Sequence, residues 1–509
     1  MKMVPNRRRV SFQRQYVLPI LVFISLTACN GSDTQSDAPL MDTLAGSMSD
    51  GALGDSSTQL LLDAAVSGDG TVVPADAGAA QIDAHIDDRR PKNILLIIAD
   101  DLGLDASACY QVGQNVANTP NIQGLCDRGV IFKNAWVNPI CSATRATLLT
   151  GRYAFRTGVG RTAPPGLQAD EFTLPMALDT DPSLGYGHAC VGKWHLNTAR
   201  MGSPQHPNDM GWQHFSGLLS GVLPDYFQYT KVVDGEERAV SNYATTETVD
   251  DAINWLAGQN GPWFLWVAFN APHEPFHIPP AELHSIDGIG DDPRSVRENP
   301  LPYYKAAIEA MDSEMGRLFR AIGPDEMART HIIYVGDNGT PGRVVQAPFD
   351  QTRSKGSIYN GGMQVPLIVA GPAIETPGRA VNALVNGTDL FATIIEMAGL
   401  DVAATIPPNV THDSVSLMPY LRDPNAEPIR GWIMSELFSP QPMATDGKTI
   451  RDERYKLIKF SNGNQAFYDL EVDPYEDNDL LLMAPLSADH QARYNGLEST
   501  LMELVSGGQ

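Results

Sequence analysis

Continuous apolar runs alternate with stretches of helical periodicity along the middle of this 509-residue chain. The run NILLIIA at 93–99 has no charged position, which is typical of a strand covered on both faces of a sheet. Apolar residues recur at helical spacing in 245–256 and 303–319. Further apolar runs occupy 189–191, 263–269, 331–335 and 365–370. This alternation predicts an α/β fold whose large, mainly parallel or mixed sheet is flanked by helices.

The pattern changes from about residue 431 onward. Short segments at 455–460 and 465–470 predict an antiparallel hairpin, and a helix is expected near 488–505. We therefore predict a main domain over 91–430 and a smaller C-terminal α+β domain with an antiparallel sheet over 431–509.

Residues 1–28 have the composition of a targeting segment. Five Lys and Arg residues precede an apolar run at 16–26, which is too short for a permanent membrane anchor. The segment ends in Leu-Thr-Ala-Cys, which resembles a bacterial lipobox and implies cleavage before Cys29 with a lipid on its sulfur. An ordinary signal peptide with an incidental cysteine is the alternative. Either way we expect an exported protein, and the lipobox predicts a cell-envelope lipoprotein whose lipid is its sole membrane anchor.

Residues 29–90 form an acidic linker between this segment and the folded body. Between 30 and 90 the chain has eleven Asp, two Arg and no aromatic residue. Such a composition cannot bury enough apolar surface to offset the entropy lost on ordering. We expect a disordered tether.

The formal net charge of the chain is −24, and its isoelectric point is near 4.7. This balance excludes nucleic acid as a partner bound through bulk charge. An anionic substrate would have to be captured by local cations in a pocket.

Cysteine usage fits an exported protein. Cys109 and Cys126 are able to pair in an oxidising compartment, although the sequence does not show their geometry. Cys190 lies in an apolar run and is expected to be a buried thiol.

Two acidic clusters follow apolar runs. Asp100 and Asp101 come directly after the first predicted strand, and Asp337 and Asn338 follow another. An acidic pair at such a position is often only a turn or a helix cap. If the two strands are neighbours, however, the four side chains can share one cation, and their hard oxygen donors suit Ca²⁺, or less well Mg²⁺.

The segment NPICSATRATLLTGRY at 138–153 is the most informative part of the sequence. Cys141 heads a predicted helix, and Arg145 lies one turn later on the same face. A helix N-terminus favours negative charge, so the pair suits the handling of an anion.

Three polar segments add candidate chemistry. Lys193 and His195 are spaced i, i+2, so on an extended backbone they point the same way. His273 and His277 match H-E-x-x-H, but the prolines around them forbid the helix of a zinc protease, so we expect a loop that presents His273 as an acid. His277 is left without an assigned role. Lys355, in a glycine-flanked loop, is a second candidate cation for an oxyanion.

Together these segments, between residues 93 and 371, resemble the sulfatase family of the alkaline phosphatase superfamily. The resemblance extends to Thr388-Asp389-Leu390 and to Tyr468-Asp469-Leu470 with Asp473-Pro474. It implies an alkaline-phosphatase-like catalytic domain and the oxidation of Cys141 to formylglycine by a formylglycine-generating enzyme. It also implies a Ca²⁺ site formed by Asp100, Asp101, Asp337, Asn338 and the modified Cys141.

The resemblance also implies roles for the remaining polar residues. Arg145 and Lys193 would steady the formylglycine hydrate, and His195 would help to deprotonate it. Lys193 and Lys355 would hold sulfate oxygens, while His273 would protonate the departing alcohol. The implied activity is the hydrolysis of an aryl or carbohydrate sulfate ester.

Two other functions fit the same residues. One is a phosphonate or phosphate ester hydrolase on the same scaffold, and the other is a catalytically silent lipoprotein that binds sulfated glycans. Ala143 departs from the commoner family form, which has proline there, so conversion of Cys141 depends on the host.

Substrate identity is not readable from the sequence. The segments 197–242 and 277–302 are predicted specificity loops. Their candidate contacts to a sugar or aryl ring, which are equally consistent with structural roles, are Trp212, His214, Tyr226, Tyr229 and Arg294.

Overall fold

The structure is a computed structural model that describes residues 92–161, 166–197, 203–483 and 485–507. The predicted targeting segment 1–28, Cys29 and the linker 29–90 lie outside these residues. Within the described part, no helix combines the length and the apolar composition needed to cross a membrane.

The described strands form a ten-stranded sheet and a separate four-stranded sheet. The large sheet contains β1 (Asn93–Ala99), β2 (Gly129–Trp136), β3 (Gly187–Lys193), β4 (His214–Leu218), β5 (Tyr229–Val233), β6 (Glu236–Val240), β7 (Trp263–Ala268), β8 (Thr330–Gly336), β9 (Leu367–Ala370) and β10 (Arg379–Asn386). The small sheet contains β11 (Ile433–Leu437), β12 (Gly447–Arg451), β13 (Tyr455–Phe460) and β14 (Gln465–Asp469).

The large sheet is mixed, with the order β10-β2-β9-β8-β1-β7-β3-β4-β5-β6. Strands β8, β1, β7, β3 and β4 run parallel to one another. Strand β9 is antiparallel to both β8 and β2, and β5 and β6 continue the other end as antiparallel strands. The predicted fold class is confirmed.

Fifteen α-helical segments occur in the described residues. They are α1 (Pro120–Arg128), α2 (Cys141–Thr150), α3 (Ala154–Thr157), α4 (Leu174–Leu178), α5 (His206–Asp209), α6 (Ala244–Leu256), α7 (Pro293–Glu298), α8 (Leu301–Ile322), α9 (Pro324–Ala328), α10 (Asn360–Met363), α11 (Asp389–Met397), α12 (Val402–Thr405), α13 (Met418–Arg422), α14 (Leu480–Met483) and α15 (Ala488–Ser506).

Helices cover both faces of the large sheet, as the uninterrupted apolar strands require. Alternate residues of β1 enter different cores: Ile94 and Ile98 pack with α2, α4 and α11, whereas Leu95 and Ile97 pack with α1, α6 and α8. Every residue of β1 is buried. The sheet therefore forms a rigid central layer whose strand ends are fixed from two sides.

The four-stranded antiparallel sheet also packs on both faces. Its outer face contacts Leu497 and Leu501 of α15. Its inner face, which includes Ile458 and Tyr468, packs in one cluster with Cys141 and Trp136. The C-terminal part of the chain thus supports the start of α2. The domain boundaries drawn at 91, 430 and 431 stay predictions.

The cysteines take the positions that the sequence allowed. Cys109 and Cys126 are joined by a disulfide. In the described residues the free cysteines are Cys141 and Cys190, and both are buried.

A glycine ends the helix that carries Cys141. Gly151 caps α2 in the left-handed region, with a φ of 68°, and a Cβ there would lie 2.7 Å from ring atoms of Phe391. We expect Gly151→Ala to lower the free energy of unfolding by about 2–4 kcal/mol, because it adds overpacking to backbone strain. Urea denaturation measures the change.

Gly158 provides the matched control for this substitution. It also caps a helix, with a φ of 72°, but a Cβ added there would have no atom within 4 Å. Gly158→Ala is therefore expected to cost only the backbone strain of about 1 kcal/mol. Equal losses for the two variants would contradict the role assigned to Phe391.

Candidate active site

The site lies at one edge of the large sheet, where the five neighbouring strands β9, β8, β1, β7 and β3 end or begin. Asp100 follows β1, His273 follows β7, Lys193 ends β3 and Asp337 follows β8. Strands β8, β1, β7 and β3 are parallel, so their carboxyl ends meet at the same edge. The antiparallel strand β9 begins at this edge, which explains why Lys355 precedes its strand and still reaches the site.

The two acidic clusters lie side by side, because Ala99 of β1 pairs with Gly336 of β8. The backbone N–H of Asp101 donates to Asp337 Oδ1 over 3.0 Å. Asn338 Nδ2 donates to Asp101 Oδ1 over 2.9 Å. Asp101 itself adopts a φ of 69°, a conformation uncommon for a residue with a side chain. The neighbouring-strand condition for a shared cation is thus met.

Arg145 joins three elements through one buried guanidinium. Its Nε and Nη2 donate to Asp337 Oδ2 over 3.0 and 2.7 Å. Its Nη1 donates to the carbonyl oxygen of Lys193 over 2.7 Å. Asp100 Oδ1 lies 4.0 Å from Nη2. The helix α2 is thereby tied to the ends of β8 and β3.

Cys141 lies between two residues that follow or end β3. Its Sγ is 3.2 Å from His195 Nδ1 and 3.7 Å from Lys193 Nζ. Lys193 Nζ also contacts Asp100 Oδ2 at 2.5 Å. The sequence predicts that Lys193 and His195 point the same way because both lie on an extended backbone. That reason is wrong, because His195 adopts a φ of 58°. The left-handed turn at His195, rather than strand alternation, brings its ring to Cys141.

His273 lies in an irregular loop, so the predicted rejection of a zinc-protease helix is correct. Its Nδ1 is 2.6 Å from the carbonyl oxygen of Glu274 and therefore carries a hydrogen. Its Nε2 lies 3.7 Å from Asp101 Oδ2. Nε2 is consequently the ring atom that can exchange a proton with a bound molecule.

Lys355 completes the set by pairing its ammonium with Asp101 Oδ1. Its side chain is 20% exposed, whereas those of Lys193 and Arg145 have no exposure. Lys355 is thus the cation of this site that solvent reaches most readily. The structure brings the ten predicted catalytic and metal-site residues into one connected cluster, whereas Cys29, the predicted lipidation site, lies outside the described residues.

The pKa values of the two central carboxylates, Asp100 and Asp337, shift in opposite directions. Burial alone would raise the pKa of Asp100, but Lys193, His273, Arg145 and Lys355 lower it well below its usual range. Burial raises the pKa of Asp337 to about 6, and the nearby Asp100 adds to that rise while Arg145 opposes it. The salt bridges to Lys193 and Arg145 favour the ionised forms of Asp100 and Asp337, respectively.

Several oxygens of this cluster fit a divalent cation. Asp100 Oδ1, Asp101 Oδ2 and Asn338 Oδ1 are buried without a hydrogen-bond partner. Ligand atoms of Asp100, Cys141 and Asp337 all lie within 4.8 Å of one another. Unpartnered buried oxygens are costly, and a hard cation would satisfy them. These side chains are among the predicted metal ligands, and the full ligand set stays a prediction.

The formal charges of the site balance before any ion binds. Three carboxylates face three cations, namely Asp100, Asp101 and Asp337 against Arg145, Lys193 and Lys355. A divalent cation would leave the site with a formal charge of +2. Such a site attracts an anion, although the whole chain is strongly acidic.

The thiol of Cys141 is poorly suited to act as it stands. Burial raises its pKa to about 11, and Asp100 and Asp337 oppose its ionisation while Lys193 and Lys355 favour it. A neutral thiol is a weak nucleophile. His195 is neutral as well, because burial and Lys193 hold its pKa well below the usual value. A neutral imidazole can accept a proton from a group at position 141.

Two residues near the site escaped the sequence interpretation. A Cβ at Gly221 would lie 2.2 Å from His195 Nε2, so only glycine lets this loop cover the imidazole. Thr340 accepts a hydrogen bond from the backbone N–H of Lys355 over 3.1 Å through its carbonyl oxygen. Thr340 stands next to the acidic cluster in sequence, which could have signalled it, whereas nothing local marks Gly221.

Two of the five candidate specificity contacts are buried and have structural partners. Trp212 is buried against Phe264 and Trp266. Tyr226 is also buried, and its hydroxyl lies 2.7 Å from the carbonyl oxygens of Asn270 and His273, so it supports the His273 loop.

The other three candidates have protein partners or partial burial. His214 contacts Asp234 at 2.8 Å, Arg294 contacts the exposed Glu298 at 2.8 Å, and Tyr229 is half-buried.

His277 also has a structural environment. Its ring stacks on Tyr226 with centroids 3.9 Å apart, and its Nε2 lies 3.1 Å from the hydroxyl of Tyr243. Burial lowers its pKa to about 4. His277 is therefore a neutral, half-buried side chain of the same loop as His273.

Comparisons with known proteins agree with this geometry. The family model Sulfatase matches residues 92–400, and the model N-sulphoglucosamine sulphohydrolase, C-terminal, matches 351–503. The human N-acetylgalactosamine-6-sulfatase is 28% identical over 373 residues, which cover 65% of this chain and 66% of that protein. The N-acetylglucosamine-6-O-sulfatase of Bacteroides thetaiotaomicron is 25% identical, with 83% and 86% covered.

Solved structures share the fold. Ps i-CgsB in complex with k-i-k-neocarrahexaose has a TM-score of 0.68 and 24% identity, covering 82% of this chain and 93% of that one. BT4656 in complex with its substrate D-glucosamine-2-N,6-O-disulfate has a TM-score of 0.63 and 21% identity, covering 82% and 98%. The Sulfatase model alone spans more than half of the sequence, and this chain belongs to the sulfatase family.

Proposed function

We propose that this protein is a sulfatase that hydrolyses aryl or carbohydrate sulfate esters with a formylglycine at position 141 and a bound calcium ion. One observation carries the proposal: Cys141 begins a helix at the point where three buried carboxylates and three cations converge. That arrangement suits a metal ion, a modified side chain and a tetrahedral anion together.

The metal would be held by Asp100, Asp101, Asp337, Asn338 and the modified residue 141. When bound, Ca²⁺ supplies positive charge that polarises an oxygen of the sulfate group. The oxygen donors favour Ca²⁺, and Mg²⁺ is the weaker candidate because it demands stricter octahedral geometry.

Local cations would bind the substrate. Lys193 and Lys355 hold sulfate oxygens as point charges, and the free N–H groups at the start of α2 add to the attraction. Arg145 and Lys193 steady the hydrated aldehyde of the modified Cys141. Little of the barrier to sulfate-ester cleavage depends on a base, so charge neutralisation and alignment supply most of the rate.

The chemistry proceeds in two covalent steps. His195 takes a proton from one hydroxyl of the aldehyde hydrate while the oxygen of that hydroxyl bonds to sulfur. The bond between sulfur and the ester oxygen breaks, and His273 gives a proton to the leaving alcohol. His195 would release its first proton to solvent and take the proton of the second hydroxyl; the aldehyde C=O would then reform as the bond from carbon to the sulfate oxygen breaks and sulfate leaves. Water adds to the aldehyde to restore the hydrate.

A sulfated glycan is the favoured kind of substrate. Relatives are named for sulfated amino sugars, and one structural neighbour is solved with a disulfated glucosamine as its substrate.

Export and maturation belong to the same proposal. The disulfide between Cys109 and Cys126 fits an oxidising compartment, and the lipobox-like sequence supports an anchor at Cys29. A formylglycine-generating enzyme would oxidise Cys141 during maturation, and it must accept alanine at position 143.

The first test substitutes the proposed nucleophile. We expect Cys141→Ala to lower turnover of an aryl sulfate at least ~10³-fold, because no other side chain can form the covalent intermediate. Cys190→Ala, the other buried free cysteine, serves as the control and should retain activity. Mass spectrometry of the wild-type peptide should show an aldehyde at position 141.

The same assay separates the competing functions. Wild-type protein that cleaves an aryl phosphonate faster than an aryl sulfate would favour the phosphonate hydrolase. Wild-type protein without turnover, with sulfated-glycan binding unchanged in Cys141→Ala, would favour the silent binding protein. A thiol at position 141 in fully active enzyme would overturn the formylglycine proposal.

The second test removes the metal. We expect a calcium chelator to abolish turnover and added Ca²⁺ to restore it. Ca²⁺ should also raise the unfolding midpoint of the wild type, because binding to the native state stabilises it. In Asp337→Asn this rise should shrink, since a neutral amide replaces an anionic ligand.

Asp105 gives the matched control for the metal test. It is a buried carboxylate that accepts from Thr340 Oγ1 and from the backbone N–H of Gln346, outside the proposed ligand set. Asp105→Asn should lower stability yet keep the full Ca²⁺-dependent rise. An equal rise in Asp337→Asn and in the wild type would contradict the site.

The third test addresses His273 as the acid. We expect His273→Ala to lower kcat for a sugar sulfate by ~10²-fold or more, but far less for 4-nitrophenyl sulfate, because nitrophenolate leaves without protonation. His277→Ala, in the same loop, should affect both substrates alike. A His273→Ala loss that is the same for both leaving groups would reject the assignment.

A further inference from the structure

Residues 351–360, the Lys355 loop, are held at both ends by a single C-terminal residue. Near the start of the loop, Arg353 Nη1 donates to the carbonyl oxygen of Glu476. At the end of the loop, the backbone N–H of Asn360 donates to Glu476 Oε2 over 2.6 Å. Both contacts cross more than 110 residues of sequence, so neither is a local turn.

Glu476 is itself fixed by a buried lysine from the four-stranded sheet. Lys456 of β13 places its Nζ 2.5 Å from Glu476 Oε1, and neither side chain is more than 2% exposed. The same ammonium donates to Asn360 Oδ1 over 3.1 Å. It also lies 4.8 Å from the centroid of the Trp136 ring. Glu476, the end of the Lys355 loop and Trp136 of β2 therefore all contact the Lys456 ammonium.

Stability alone does not favour this arrangement. A buried ion pair is often no better for stability than apolar residues of similar size. Glu476 also adopts a φ of 65°, which side-chain-bearing residues rarely do. Burial lowers the pKa of Lys456 to about 8, while Glu476 opposes the shift.

Lys355 lies between the two held ends. Its backbone N–H donates to Thr340 and that of Gly356 donates to the carbonyl oxygen of Pro139 over 2.8 Å. Its ammonium pairs with Asp101 in the site. A displacement of the loop ends would move this ammonium, and the energy between charges changes with their separation.

We propose that Glu476, whose buried charge Lys456 neutralises, is a positioning residue that holds the Lys355 loop and so places the Lys355 ammonium for sulfate binding. This inference rests on the proposed function, in which Lys355 binds a sulfate oxygen. It assigns the C-terminal sheet a part in substrate binding, although no residue of that sheet belongs to the metal or nucleophile set.

Two double variants test the contact without leaving a buried unpaired charge. Lys456→Met with Glu476→Leu removes the oxygen that accepts from Asn360, whereas Lys456→Met with Glu476→Gln retains one. We expect the Leu variant to raise the KM for an aryl sulfate at least ~10-fold, since small misplacements of a binding group are expensive. The Gln variant should stay within ~2-fold of the wild type.

Lys459 and Glu498 supply the control pair. Lys459 lies on the same strand as Lys456, and its Nζ contacts Glu498 of α15 at 2.5 Å, away from the Lys355 loop. Lys459→Met with Glu498→Gln should lower the unfolding midpoint without changing KM. If the Leu variant does not fold, Arg353→Met tests the other end of the loop and should raise KM about 3-fold, by loss of one charged hydrogen bond.

Binding of inorganic sulfate, measured by calorimetry, separates this inference from the proposed function. The dissociation constant should rise in the Leu variant and stay unchanged in the Gln and control variants. Equal values of KM and of this constant in the Leu and Gln variants would overturn the inference, as would an unchanged KM in Arg353→Met. Wild-type protein that binds sulfate without hydrolysing the ester refutes only the proposed function, and protein that does neither refutes both.

Discussion

The buried guanidinium of Arg145 is the contact on which the rest of the site depends. It binds Asp337 through two nitrogens and the carbonyl oxygen of Lys193 through a third. A buried charge that loses its partner is strongly destabilising, so α2, β3 and β8 are held in one relative placement. Cys141 is one turn earlier on the same helix. Its position against the strand ends therefore follows from the position of Arg145.

Charge balance is the second constraint. The central carboxylates are buried, and they are stable there because each faces a cation or accepts a backbone N–H. Asp100 Oδ1 and Asp101 Oδ2 are buried without a hydrogen-bond partner, which leaves capacity for a metal ion. An anion can thus be attracted in a strongly acidic protein, because the attraction is generated locally by buried cations.

Candidate site residues could be predicted where they lie in short sequence motifs. The run from Cys141 to Arg145, the acidic pairs after β1 and β8, and the loop at His273 were each visible in the sequence, because strand ends and helix starts have local signals. The route by which Lys193 and His195 meet was not, since it depends on a left-handed residue at 195. For Trp212 and Tyr226 the sequence leaves a substrate contact and a structural role open. Both side chains are buried, because exposure is set by packing partners far away in the chain.

The sequence by itself determined the alternation of strands and helices, the resemblance to sulfatases and the identity of the charged groups, since these depend on residue type and near-neighbour spacing. Only the tertiary structure decided that β9 runs antiparallel and brings Lys355 to the same edge as Asp101. It also decided that Glu476, far along the chain, holds the loop of Lys355. Strand order and long-range contacts arise from how whole elements pack, and no local pattern encodes that packing.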